Sequence, residues 1–317
     1  MDHAVAMKIE EYVAALGGIA EYSQLRASGF TAGAAQYAVR AGRLVRIRRG
    51  WVATPDAPDS SVRAVRVGGS LTCVSVLNER GVWCVNDELL HVRVNRHRNH
   101  LASPDSRLVA LRDSAMQGVA VHGTFAAYRS PRYCHTDPVD VAVMHAIDCQ
   151  PRDYAVALCD SVINLRLSTR SRLLSIAEMI DKRHSEVVAL SDGRAQSGLE
   201  TKARLRLRAL RIPYRPQAYI GAVGCVDLVI GDRLVLELDG REWHSSFEAF
   251  AEDRRRDLIL HERDYLVVRL TYAQVMFEWP RVEAMIRSLV SRHKHRWPRS
   301  VGRAHSTLVG AQPHRLQ

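Results

Sequence analysis

Residues 225–239 read CVDLVIGDRLVLELD. Apolar and acidic side chains alternate on both arms of a short turn, a pattern that specifies a β-hairpin with two distinct faces. If Ile230 pairs with Leu234 across a three-residue loop, Leu228 meets Leu236 and Val226 meets Leu238, while Asp227 lies opposite Glu237 with Asp239 two residues on. The apolar pairs then share one face and the carboxylates share the other. A one-residue slip, to a two-residue turn at Gly231 and Asp232, would set Asp227 opposite Leu236 and mix the faces, which burial of one face forbids. Gly231 stands first in the loop, whereas three-residue hairpin loops usually carry glycine last, so a bulge or wider turn stays open.

Carboxylates this close raise one another's proton affinity unless a cation lies between them. An all-oxygen ligand set suits a hard ion, Mg²⁺ or Mn²⁺, and an ion so held is a common means of phosphodiester cleavage. Alternating acids also cover ordinary solvated sheet faces, and the hairpin alone leaves both readings open.

The flanks narrow the choice. Ser197, Gly198, Leu199 and Glu200 open a helix running to about Arg211, with Leu199, Ala203, Leu207 and Leu210 at helical spacing. Glu200 has a structural role of its own here, because Ser-x-x-Glu is a capping box in which the glutamate satisfies the N-cap backbone. After the hairpin come Gly240-Arg241-Glu242-Trp243-His244, a helix through Asp253 to Asp257, a strand over 265–270 and a helix over 281–290. The order is helix, hairpin, helix, strand, helix.

Residues 197–290 resemble the uncharacterised bacterial domains allied to very-short-patch-repair endonucleases, within the PD-(D/E)xK nuclease superfamily. The matching residues are Ser197-x-x-Glu200, Val226-Asp227, Glu237-x-Asp239-Gly240, His244, Asp253 with Arg254, Arg255, Arg256 and Asp257, and Arg269-Leu270-Thr271. The resemblance implies a restriction-endonuclease-like mixed sheet flanked by helices. It also implies a Mg²⁺ or Mn²⁺ ion held by Asp227, Glu237 and the backbone carbonyl of Leu238, with Glu200 approaching directly or through water. The chain departs from the superfamily where a lysine is usual, since Asp239 stands two residues after Glu237. Three substitutes are open: His244 as acid or base, an arginine among Arg254, Arg255 and Arg256, or water activated by the ion alone. His244, following a tryptophan, is equally readable as a structural residue.

The net charge of +11 over 317 residues favours a polyanionic partner, here DNA, over an acidic small molecule. Positive charge gathers at Arg40, Arg43, Arg46, Arg48 and Arg49, again at Lys202, Arg204, Arg206, Arg208 and Arg211, and at 254–256. Such runs serve phosphate contact but also occur as plain solvated faces. The length predicts more than one domain, and 47% hydrophobic residues suffice for the cores. With no run of eighteen apolar residues and no signal-peptide pattern, a cytoplasmic chain without a membrane partner is expected. The six cysteines form no Cys-x-x-Cys pair, so neither a zinc knuckle nor a disulfide framework is indicated.

Residues 1–55 predict a helix at 5–16, a second capped by Ser23 and a third from Thr31 to Gly42, followed by a basic hairpin at 44–52. Three helices and a hairpin suggest a winged helix-turn-helix. Gln36, Tyr37 and Arg40 would face a DNA groove, and Arg43, Arg46, Arg48 and Arg49 would grip phosphate. This stretch is similar to the amino-terminal domain of abortive-infection antitoxins of the AbiEi kind, which implies transcriptional repression. A docking or dimerisation module is the alternative.

Residues 60–190 read as an α+β middle domain, loosely similar to the second domain of the same antitoxins. Strands are expected at 91–96 and 108–112, and three helices over 138–180 with Val141, Met144, Leu158, Val162, Leu173 and Ile176 in their core. The histidines His97, His100, His122, His135 and His145 lack a tight ligand spacing and read as surface or structural residues. Residues 291–317 are basic and aperiodic, which predicts disorder.

The sequence thus predicts an α+β or α/β multidomain protein: a winged helix at 1–55, a middle domain at 60–190, a PD-(D/E)xK-like domain at 195–290 and a basic tail. The expected activity is metal-dependent DNA endonuclease chemistry, nicking or cutting, in defence or repair. The alternative is a noncatalytic regulator or antitoxin that keeps the nuclease fold as a scaffold. A toxin or repair factor is the protein partner such readings would bring.

Overall fold

The computed structural model describes residues 7–85, 87–95, 100–126, 134–239, 247–298 and 309–310. In chain order they form α1 (Ile9–Ala15), β1 (Ile19–Glu21), α2 (Tyr22–Ala27), α3 (Ala32–Arg40), β2 (Val45–Arg48), β3 (Trp51–Ala53), α4 (Asp59–Val67) and β4 (Ser70–Leu71). Next come α5 (Cys73–Glu79), β5 (Leu90–Arg93), β6 (Val119–His122), α6 (Val139–Cys149), α7 (Arg152–Asn164), α8 (Arg170–Ile180), α9 (Lys182–Ala189) and α10 (Gly198–Ala209). The chain continues through β7 (Tyr214–Ile220), β8 (Gly224–Ile230), β9 (Leu234–Asp239), α11 (Phe247–Glu262), β10 (Leu266–Thr271), α12 (Tyr272–Met276), α13 (Trp279–Ser291) and β11 (Val309–Gly310). Helices and three small sheets are mixed, as the α+β multidomain reading expects. Among the described residues no helix is long and apolar enough to cross a membrane.

The chain divides into two compact units, Met1–Pro151 with Ser168–Ala189, and Arg152–Leu167 with Leu190–Gln317. In the first, α1, α2 and α3 pack on an antiparallel sheet of order β1-β3-β2. Ile9, Val13, Leu25, Ala38, Leu44 and Val52 fill its core. Thr31 caps α3 as expected, its hydroxyl accepting the Ala34 N–H at 3.2 Å. Ser23 does not cap α2. That helix opens at Glu21, whose N–H goes to Gln24, while the Ser23 hydroxyl donates to the Glu21 carboxylate.

The second sheet of this unit has the order β4-β5-β6, with β5 and β6 parallel. Residues 108–112 do not make the expected strand and contribute only an isolated bridge between Ala110 and Ala102. The three helices expected over 138–180 are α6, α7 and α8, and all six of their named apolar residues are buried.

In the second unit a five-stranded mixed sheet runs β10-β9-β8-β7-β11, with β10 parallel to β9 and the other pairs antiparallel. Leu228, Ile230, Leu234 and Leu236 bury against Leu207 of α10 and Ile286 of α13. Val226, Val229 and Val235 bury in a second core with Leu260, Tyr265 and Trp297. This corrects the expectation that one hairpin face is apolar and the other solvated. Val229 and Val235, two residues from Asp227 and Glu237 and so on the acids' face, are 0% exposed, and the sheet is covered on both faces.

Two further expectations change. Residues 292–298 of the tail pack onto the unit, where Trp297 is buried edge-on to Tyr265 with ring centroids 5.2 Å apart and its main-chain N–H reaches Asp232 Oδ1 at 2.9 Å. The run from Lys202 to Arg206 is not a solvated basic face either. Lys202 pairs with Asp153 at 2.5 Å, Arg204 with Asp160 at 2.5 Å, and Arg206 stacks over Trp279. Both acids come from α7, which explains why α7 belongs with the carboxy-terminal unit. Asp160 also accepts from the Thr201 hydroxyl at 2.6 Å and from the Asp192 N–H at 2.5 Å.

Arg204 and Asp160 are each about 2% exposed, so removing one strands the other as an uncompensated buried charge. Arg204→Met should lower stability by about 3–5 kcal/mol in urea unfolding, and Thr201→Val by about 1–3 kcal/mol.

Candidate functional site

The hairpin adopts the expected register next to its turn, with Leu228 opposite Leu236, Val229 opposite Val235 and Ile230 opposite Leu234; the ladder stops there, and Val226 and Leu238, expected to pair on one face, bury in different cores. Gly231 opens the three-residue loop in the left-handed region at φ +65°, where a Cβ would also collide with the His295 carbonyl. Two main-chain groups of His295 and Trp297 thus lie on this turn: the His295 carbonyl accepts from Asp232 and Arg233, and the Trp297 N–H donates to Asp232. At the other end of the hairpin the Leu238 N–H donates to Asp227 Oδ2 at 2.7 Å, and the Asp227 N–H approaches Glu237 Oε2 at 3.5 Å.

Glu200 enters from the first turn of α10. Ser197 caps that helix, accepting the Glu200 N–H at 3.2 Å. The capping-box role expected of the Glu200 carboxylate is replaced by two other contacts. Its Oε2 accepts from the Gln196 N–H at 3.1 Å and from Gln217 Nε2 at 2.8 Å. Gln217 also reaches Asp227 Oδ1 at 3.4 Å, so its amide bridges the two acids. The sequence reading missed Gln217. It sits in β7 with φ +49°, and the ladder to β8 skips it, passing from Pro216 opposite Leu228 to Ala218 opposite Val226. The register is unshifted on either side, which sets Gln217 opposite Asp227, and left-handed backbone at a side-chain-bearing strand residue is a strain that gathers at functional sites. Pro216, which cannot donate to a ladder, is the signal that could have located it.

Glu200 is buried, Asp227 and Glu237 are half-buried, and the acids repel one another. Burial, and then the neighbouring Asp227, push Glu237 up to about 7 from 4.5. Burial is also the leading cause of the upward shifts of Asp227 and Glu200, the latter reinforced by Asp227. Among the described residues Arg256 is the cation that pairs with them. Arg256 Nη2, from α11, lies 3.5 Å from Glu237 Oε1 and donates to the Cys225 carbonyl at 2.6 Å, while its buried Nε has no hydrogen-bond partner. Its neighbours turn elsewhere: Arg254 to Asp253 and Asp257, and Arg255 to Glu252 and the Ala222 carbonyl. Asp239 pairs with Arg269 at 3.6 Å, which also holds Asp253 and Asp257. Leu238 is buried beside the acids, and His244 lies outside the described residues. Oxygen donors raised toward neutrality by burial and by one another are the donor set that a hard divalent ion suits.

In the amino-terminal unit, Gln36, Tyr37 and Arg40 are exposed on one side of α3, Tyr37 by 67%. Arg46 and Arg49 are exposed as well. Arg43 pairs with Glu10 at 2.9 Å and lies over the Tyr37 ring. Arg48 differs from the expectation, since its guanidinium turns inward to the carbonyls of His100 at 2.8 Å and Arg66 at 3.5 Å.

Because Glu237 keeps its proton to higher pH in the folded chain than in the unfolded one, stability falls as pH rises between 4.5 and about 7. The slope approaches about 1.4 kcal/mol per pH unit for one group. Thermal unfolding of chelator-treated protein should therefore show Tm declining over that window, and Glu237→Gln should flatten the decline. Mg²⁺ or Mn²⁺ bound to the ionised acids should flatten it too. No family model matches this chain, and no curated protein is significantly similar to it.

Proposed function

We propose that the chain is a metal-dependent DNA endonuclease, nicking or cutting, with a separate DNA-binding unit at its amino terminus. One observation carries the reading: Asp227 and Glu237 meet beside Leu238 with raised proton affinity, and Gln217 ties Glu200 to them. Asp227 and Glu237, with the Leu238 carbonyl, would hold Mg²⁺ or Mn²⁺, which supplies Lewis-acid polarisation of phosphate and activation of water. Glu200 and Gln217, hydrogen-bonded to each other, would orient the attacking water. Arg256 would balance charge developing on the phosphate, the task a lysine at position 239 would otherwise serve.

The amino-terminal elements support a winged helix-turn-helix. Their order is helix, strand, two helices and a two-stranded hairpin, with the first strand joining the hairpin as a third. The exposed side of α3 would enter a groove, and Arg46 and Arg49 on the hairpin would meet phosphate.

The second reading is a noncatalytic regulator of the antitoxin kind, with the nuclease-like sheet kept as a scaffold. Arg256 favours it, since a guanidinium beside Glu237 offsets part of the acid charge without an ion.

Purified protein should cleave DNA with Mg²⁺ or Mn²⁺ in a plasmid-relaxation and oligonucleotide assay. Asp227→Ala and Glu237→Ala should each lower the rate by at least about 10²-fold, with cooperative unfolding preserved. Protein inert toward duplex, single-stranded and mismatched DNA under both metals favours the regulator. Replacing Arg46 and Arg49 together should weaken DNA binding and reduce its log-log salt slope by about 0.9 for each lost phosphate contact. An unchanged affinity and slope would make this unit a docking module.

A further inference from the structure

Four residues far apart in sequence meet in the amino-terminal unit. Cys73 opens α5, His91 lies on β5, His122 ends β6 and Cys149 ends α6. One ligand atom from each lies within 4.8 Å of the others, the only such set of three or more Cys, His, Asp or Glu side chains among the described residues. His91 Nδ1 and His122 Nε2 are 3.0 Å apart, and the Cys149 sulfur lies 3.6 Å from His122 Nε2 and 3.9 Å from His91 Nδ1. A tetrahedral zinc ion with ordinary bond lengths sets nitrogen–nitrogen, nitrogen–sulfur and sulfur–sulfur edges of about 3.3, 3.6 and 3.8 Å. The observed separations are close to those edges.

We propose that Cys73, His91, His122 and Cys149 form a tetrahedral Cys₂His₂ site for a structural zinc ion. Two thiolates with two imidazoles select Zn²⁺ over the hard ions that the carboxylate group would take. All four positions are protein ligands, so no coordination site is left open for catalysis.

The surroundings are those of a ligand set. His91 Nε2 faces both Asp87 oxygens, at 2.9 and 3.2 Å, which places the proton there and turns the Nδ1 lone pair toward the cluster. A carboxylate behind a ligating imidazole is the usual means of fixing tautomer and ring orientation. Cys73 is fully buried and adopts φ +54°, a conformation that a side-chain-bearing residue keeps only where its surroundings enforce it. The spacings match no short zinc motif, which is why the sequence reading excluded a zinc site and took His122 for an ordinary structural histidine.

The ion would join α5, β5, β6 and α6, of which only β5 and β6 are already paired in a ladder. The inference is independent of the nuclease reading, because its readout is zinc content and not cleavage.

The test uses the full chain, expressed without a polyhistidine tag in zinc-replete medium. Elemental analysis should find about one zinc per chain, and Co²⁺ in its place should show thiolate-to-metal charge-transfer absorption. Cys149→Ser, at the exposed end of α6, should lower zinc to below about 0.2 per chain, and so should His122→Ala, while circular dichroism stays that of a folded protein. The pair Asp227→Ala and Glu237→Ala should keep the zinc. A wild-type chain with less than about 0.1 zinc overturns the proposal. So does zinc retained by the Cys149→Ser, His122→Ala double variant, or a thiol count that shows Cys73 and Cys149 joined as a disulfide.

Discussion

The carboxy-terminal unit depends on keeping Asp160 ionised inside the protein. Burial drives that carboxyl toward its neutral form, and the Arg204 guanidinium, the Thr201 hydroxyl and the Asp192 N–H oppose the drive. Every donor comes from α10 or from the segment leading into it, while the acceptor comes from α7. A buried pair of this sort adds little net stability compared with apolar residues of the same shape, but half of one is severely costly. It therefore acts as a register pin: α10 has one seat against α7 in which no charge is left over. That seat fixes Leu199, Ala203 and Leu207 against the sheet and carries Glu200 to the end of the hairpin where Asp227 lies.

At that end the opposite choice is made. Glu200 is buried and Asp227 and Glu237 are half-buried, and among the described residues these acids are given one guanidinium, one amide side chain and a few backbone N–H groups. The two arrangements occur within one unit. One set of acids is fully answered by protein, and the other, among the described residues, is answered less completely and keeps a raised proton affinity. Gln217 marks the difference in backbone terms, since a strand would ordinarily not carry a left-handed residue at its centre.

The hairpin register was legible because period-two alternation and a glycine turn agree, and the α10 cap was legible because Ser197 precedes a run of helical spacing. What escaped the sequence reading shares one cause: the deciding partner is distant. Lys202 and Arg204 looked like a phosphate-binding run because Asp153 and Asp160 lie on another helix some way upstream. Trp297 looked like part of a solvated tail because its pocket is built by Tyr265 and the strands before it. Arg48 looked like its neighbours Arg46 and Arg49, and only the path of the chain past His100 distinguishes it. Local pattern reports the period of an element and its ends, but it does not report which charge will be answered from elsewhere.

The chain leaves the amino-terminal unit after Pro151, returns at Ser168 and leaves again after Ala189. During synthesis the α7 segment is therefore made before α10, against which it packs. Asp153 and Asp160 must remain in water while α8 and α9 emerge and join the earlier unit, and α7 can be buried only when α10 follows. Until α10 is made, Lys202 and Arg204, the cations that answer Asp153 and Asp160, are not yet part of the chain.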